Sequence, residues 1–271
     1  MEMSVPYTVF FGFEKEPFTA DITVDEILET DQLAAAKHRF DYSLGLGAIY
    51  LLTGEIGSGK STAIRYLVNS LHPSEYKRIY VTATSGSILE LYRLIMAELG
   101  MKPVGISRAV MTDRIKREIL ELIHGKKQRV ILIIDEASLL RLEVFVELHT
   151  LCQFEMDSKP YLPIVMAGQT HLVDHLRYPG CLPLASRVVA KSHFIGAKRE
   201  QMQAYLKHHL SITGIQRMLF EDDAITAIHQ GSGGIFRKAN HLARGALVAA
   251  AMAQHKTVNA EHVRLAASEI L

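Results

Sequence analysis

Short, wholly apolar runs alternate along this chain with longer stretches in which apolar residues recur every three or four positions. Ala48-Ile49-Tyr50-Leu51-Leu52 predicts a buried strand, and a glycine-rich turn then leads into a helix from Ser61 to Leu71. Ile79-Tyr80-Val81-Thr82-Ala83 predicts a second strand, and helical spacing follows from Ile88 to Leu99 and from Arg108 to His124. Val130-Ile131-Leu132-Ile133-Ile134 is apolar throughout, which suits a strand covered on both faces. A helix from Leu142 to Phe154 and a strand from Leu162 to Ala167 complete this alternation. Strands alternating with helices imply right-handed crossovers and a parallel sheet flanked by helices.

After about Ile195 the strand signal fades. Residues 198–210, 222–229, 236–253 and 260–271 read as helices, with Asn259 an N-cap for the last. The expected architecture is an α/β domain over residues 1–195 and a small all-helical domain over 196–271. The aromatic opening, Phe10-Phe11-Gly12-Phe13 with Pro17-Phe18, is turn-like and is taken with the first domain. There is no internal repeat and no low-complexity linker.

The chain has 271 residues, 48% apolar and 22% charged, which excludes disorder as its main state. Its two cysteines, Cys152 and Cys181, have no CxxC spacing, so neither a disulfide framework nor a cysteine zinc site is expected. The small-apolar run from Gly245 to Ala253 is about half of a membrane span. Met1-Glu2-Met3-Ser4 lacks the basic and apolar regions of a signal peptide, so a cytoplasmic protein without a membrane partner is expected.

The net charge of +1 conceals an asymmetry. Residues 1–36 carry eight acids and one base, so the remainder holds +8. Within it, Lys102 to Arg129 has eight bases and three acids. Such a body permits binding to a polyanion, and solvated helix faces explain the same charges.

Gly54-Glu55-Ile56-Gly57-Ser58-Gly59-Lys60-Ser61 is a full GxxxxGK[ST] match between a predicted strand and a predicted helix. Glycines let successive backbone N–H groups curl around phosphate oxygens at the positive end of the helix that continues through Thr62. Lys60 reaches the terminal phosphates, and the Ser61 hydroxyl suits Mg²⁺. About 75 residues on, Ile131-Leu132-Ile133-Ile134-Asp135-Glu136 delivers two carboxylates from an apolar strand. Asp135 would orient the metal and Glu136 would polarise the attacking water, so the pair points to nucleoside triphosphate hydrolysis with ATP and Mg²⁺. Gln169, after the fourth strand, is a candidate γ-phosphate sensor. Arg187 is a candidate arginine finger for a neighbouring subunit, with Arg177 the runner-up, and Arg237 is a candidate second sensor. His124, His149, His171, His175, His208 and His209 have no metal-ligand spacing, and Tyr66, Tyr76, Tyr80 and Tyr92 form no regular stacking platform.

These motifs resemble the AAA+ ATPase superfamily and, more narrowly, its ExeA/GspA-like branch. The resemblance runs from the Phe10–Phe18 leader through the P-loop and Leu132–Ala137 to Gly168-Gln169 and Gly231-Ser232-Gly233-Gly234-Ile235 with Arg237. It implies a leader packed near the adenine and a helical lid. Two features depart from the branch: the chain stops after the lid, and Ser138-Leu139-Leu140 follows Asp-Glu-Ala where relatives usually carry Gln or a similar polar residue. Stand-alone ATPases of this shape resemble the transposition helpers MuB, TniB and TnsC. The resemblance therefore implies a homo-oligomer, ring or filament, that binds double-stranded DNA mainly through phosphates and recruits a DDE transposase. Arg114, Lys116 and Arg117 and the loop Ser85 to Ser87 are the first candidate contacts, while Lys126, Lys127 and Arg129, in a loop expected opposite the nucleotide, read equally as a solvated turn. The alternatives are a secretion-pathway ATPase and an assembly module with little turnover.

Overall fold

The computed structural model describes residues 6–102 and 107–269. The Met1–Ser4 opening, four residues of the Lys102–Arg129 stretch and the last two of the helix expected through Leu271 lie outside them. In chain order the first elements are α1 (Tyr7–Phe11), α2 (Asp31–Gly45), β1 (Ile49–Gly54), α3 (Lys60–Asn69), β2 (Tyr76–Thr82), α4 (Ile88–Glu98) and α5 (Arg108–Leu120). Next come β3 (Arg129–Asp135), α6 (Leu142–Leu151), β4 (Ile164–Gly168), α7 (Leu172–Leu176), α8 (Leu182–Ala185) and β5 (Val188–Phe194). The chain continues with α9 (Arg199–Ser211), α10 (Asp222–Ser232), α11 (Phe236–Met252) and α12 (Ala260–Ser268).

Two compact units result. The first comprises residues 31–54 and 60–194 and holds a five-stranded parallel sheet in the order β2-β3-β4-β1-β5. Every residue of β1 and β4, and all of β3 except Arg129, is buried, as their unbroken apolar runs require. Ile79, Leu132, Ile134, Met166 and Leu148 belong to one apolar cluster beside the sheet. Each such side chain contributes roughly 1.5–3 kcal/mol by leaving water. β5 went unrecognised in the sequence because Val188–Phe194 mixes Lys191, Ser192 and His193 with apolar residues; it is an edge strand, alternately covered and exposed.

The second unit comprises the described residues up to Thr30, the segment Glu55–Gly59 and those from Ile195 onward. The leader therefore packs with the helices rather than with the α/β domain, a correction to the expected division. Phe11 and Phe18 share an apolar cluster with Met202, Leu206, Leu210 and Leu247. Phe18 stacks on His209 at 5.4 Å and meets Phe220 edge-on at 5.8 Å. Tyr7–Phe11 is a short helix ended by Gly12 at φ +79°, not a turn. Asn259 caps α12 as expected, its Oδ1 accepting the His262 backbone N–H at 3.3 Å. No helix among the described residues is long and apolar enough to cross a membrane.

Candidate nucleotide site

The strand order brings three strand ends together. β4 lies between β1 and β3, and its register pairs Thr53 with Gly168 and Ile134 with Met166. The end of β1, the carboxylates ending β3 and Gln169 after β4 therefore share one edge of the sheet, the edge where open α/β sheets bind ligands.

In the loop, Gly57 and Gly59 take φ of +84° and +100°, conformations that a side chain disfavours. A Cβ on Gly57 would also lie 2.6 Å from the Cβ of Arg237. The Arg237 backbone N–H donates to the Gly57 carbonyl at 3.2 Å, so the expected second sensor is anchored on the loop itself. The Ser58 hydroxyl is buried without a hydrogen-bond partner, although its N–H donates to Glu55 O at 3.2 Å. Glu55 and Ile56 are exposed at the start of the loop.

Lys60 opens α3; it is buried, and its Nζ donates to Gly54 O at 3.0 Å. Ser61 and Thr62 follow in the first turn, whose backbone N–H groups have no intrahelical acceptor. The Ser61 hydroxyl donates to Asp135 Oδ2 at 3.0 Å. Glu136 stands next to it at φ +52°. A non-glycine residue there costs of order 1–3 kcal/mol, a strain that clusters at functional sites. Ser138 accepts the Gln169 backbone N–H on its hydroxyl at 3.2 Å.

A magnesium–nucleotide complex fits these residues. In the α/β unit the helix N-terminus with Lys60 and the Ser61–Asp135 pair supply anion donors and a hard oxygen ligand set, and the loop of the other unit by itself carries the left-handed glycines and the unpartnered Ser58 hydroxyl. Among the described residues no group of three or more His, Cys, Asp or Glu is placed to hold a metal.

Other candidates are not brought to this edge. Arg187 directly precedes β5, whose first residue pairs with Ile49, so it lies at the opposite end of the sheet. Its Nη2 donates to Asp157 Oδ1 at 2.5 Å and its Nε to His149 Nδ1 at 3.3 Å. Arg177 is far more exposed and pairs with Asp174 at 3.3 Å. The basic helix face is also tied within the chain. Lys116 donates to Gln153 O at 2.8 Å and Arg117 pairs with Asp113 at 2.9 Å, whereas the Nη1 of Arg114 is buried without a hydrogen-bond partner. Tyr80, passed over in the sequence, donates its hydroxyl to Asp135 Oδ2 at 3.0 Å; only the β2–β3 pairing reveals it.

The fold and these loops define a P-loop AAA+ architecture. An AAA domain family model matches residues 45–176. The chain is 32% identical over 269 residues to general secretion pathway protein A of Aeromonas hydrophila, covering 97% of this chain and 48% of that protein. It thus spans about half the length of this curated relative. The chain is thus similar to an AAA domain over residues 45–176 and to general secretion pathway protein A over nearly all of its own length. Among solved structures, Cdc6p of Pyrobaculum aerophilum aligns with a TM-score of 0.73 at 17% identity, covering 94% of this chain and 70% of that one. The Aeropyrum pernix ORC1 protein, solved in complex with DNA, gives 0.68 at 20% identity, covering 93% and 68%. The RuvB Holliday junction branch migration motor of Thermotoga maritima gives 0.58 at 17%, covering 93% and 73%. These likenesses are of fold.

Proposed function

We propose that this chain is an ATP-hydrolysing AAA+ protein that serves a secretion-type assembly, the reading placed second in the sequence. The observation that carries it is the 32% identity to a general secretion pathway protein, which runs through both units. The comparisons favour this reading over the transposition helper. Bound Mg²⁺ supplies charge neutralisation at the phosphates. Lys60 adds a cation at the terminal phosphates, and the loop and α3 amides donate to the oxygens. Asp135 holds Ser61 toward the cation. Glu136 accepts a proton from water, and the Ser138–Gln169 link keeps the adjoining loop in place.

A homo-oligomer is part of this reading. Leu139, Leu142, Val146, Tyr178 and Leu182 are all exposed. Leu142 O lies 3.7 Å from Cys181 Sγ, and a Cβ on Gly180 would touch Val146 at 3.5 Å, so α6 and the segment before α8 form one apolar face. Arg177 adjoins it in the chain, which makes Arg177 a better candidate than Arg187 for a cation given to a neighbour's nucleotide.

Two assays test the proposal. ATP turnover per subunit should rise with protein concentration, and no turnover at any concentration overturns the ATPase reading. A DNA-binding isotherm with ATP, with ADP and without nucleotide, at two salt concentrations, decides the role. Weak binding that ATP does not strengthen supports the secretion reading. ATP-strengthened binding that falls steeply with salt restores the transposition helper.

A further inference from the structure

Asp135 is held by three donors. Its Oδ1 accepts the Glu136 backbone N–H at 2.8 Å, and its Oδ2 accepts the Ser61 and Tyr80 hydroxyls, each at 3.0 Å. A carboxylate offers about four lone-pair sites, so these donors leave about one vacant and restrict rotation about the carboxylate axis. Two of the donors come from the nucleotide motifs themselves. The third comes from the neighbouring strand. Parallel register pairs Thr82 with Asp135, and Tyr80, two residues earlier, shares the face of Thr82. Tyr80 is 43% exposed despite that bond, so it is not simply a core side chain. Burial, then the charge of Asp135 and the hydrogen bond to it, raise its pKa, which keeps the phenol a donor throughout the neutral range.

We propose that Tyr80 is a positioning residue for the divalent cation. By clamping one oxygen of Asp135, it holds the carboxylate in the orientation that receives the cation's bound water. It therefore sets the affinity of the site for Mg²⁺ rather than for the nucleotide. Partners that orient a metal's own ligands typically matter by 10–100-fold in metal affinity. The inference rests on the nucleotide reading above and names a residue outside the P-loop and the acidic strand.

The test titrates Mg²⁺ into the chain with a fluorescent, non-hydrolysable ATP analogue, starting from EDTA. In Tyr80→Phe the half-saturating Mg²⁺ should rise about tenfold or more. Affinity for the analogue in EDTA should stay within about twofold, because Tyr80 acts only through Asp135. Tyr42→Phe, the same deletion at an exposed tyrosine of α2, should leave the Mg²⁺ dependence unchanged. Thermal melts in EDTA verify that each variant is folded. An unchanged or lower Mg²⁺ requirement in Tyr80→Phe overturns the inference while leaving the nucleotide reading intact. A parent chain whose analogue binding ignores Mg²⁺ overturns both.

Discussion

The Ser138 hydroxyl accepts the Gln169 backbone N–H at 3.2 Å and so joins the loop after β3 to the loop after β4. The approach is close. A Cβ on Gly168 would lie 2.9 Å from Ser138 N and 3.0 Å from its hydroxyl oxygen. His171 Nε2 lies 3.3 Å from Ser138 O, a second tie between the same loops. Ser138 is thus the residue that ties the loop after the Asp135–Glu136 pair to Gln169, the expected sensor.

Gly168→Ala should therefore separate the two loops. The backbone has no space to absorb the methyl group, and a displacement of about 1 Å at a reacting centre costs on the order of 10²-fold in rate. Steady-state kinetics should show kcat falling by about that factor with little change in the KM for ATP. A parent-like kcat would mean that the Ser138–Gln169 link has no part in turnover.

Lys60→Ala and Glu136→Gln should fail in different ways. Removing Lys60 takes away the buried cation at the start of α3, so on the proposed reading binding or turnover should be lost. Glu136→Gln keeps the shape but not the base, so ATP should still bind while kcat drops about 10²–10⁴-fold. Equilibrium binding beside a turnover assay distinguishes them, and a Glu136→Gln variant with full turnover refutes its assignment.

Arg187 and Arg177 should also separate. Arg187 holds Asp157, which closes a run of three left-handed residues with φ of +47°, +57° and +66° at Glu155, Met156 and Asp157. Arg187→Ala and Asp157→Ala should each lower Tm, and the double variant should lower it by less than the sum. Arg177→Ala should spare Tm and reduce turnover per subunit at high protein concentration. The reverse pattern would return the finger to Arg187.

His209 gives the helical unit an acid-sensitive point. Burial first, then the neighbouring His208, lowers its pKa from 6.5 to about 4. The unfolded chain takes up this proton at higher pH than the folded one. The resulting loss of stability is absent above about pH 6.5, grows as pH falls and is complete near pH 4, reaching about 3 kcal/mol. Denaturant titrations across that window should show it in the parent and not in His209→Phe, where an apolar ring would meet Phe18 and Tyr205. Glu26, lowered to about 2 chiefly by Lys15, loses its contribution only at lower pH, from about 4.5 downward.

The strands with unbroken apolar runs were legible because a strand covered on both faces has no polar position to blur its pattern. The glycine-rich loop and the acidic pair stood out for a related reason: particular residue types at fixed spacing beside an apolar run can be read along the chain, and they lie at the ends of β1 and β3. β5 was not, since an edge strand buries only alternate residues, and Val188–Phe194 carries polar residues among the apolar ones. The leader was read as part of the wrong unit because its aromatic residues show that it must pack, but not against what.

What the sequence by itself determined is local: most of the strands and helices, and the glycine-rich loop between β1 and α3. Those properties depend on side-chain spacing and on glycine at positive φ, both of which are written along the chain. Only the tertiary structure decided that Tyr80 reaches Asp135, that Ser138 meets Gln169 and that Asp157 and His149 engage Arg187. Each of these contacts joins residues 30 to 55 positions apart. Such contacts arise from the order and register of parallel strands, which non-local hydrogen bonding and burial select and no stretch of sequence encodes alone.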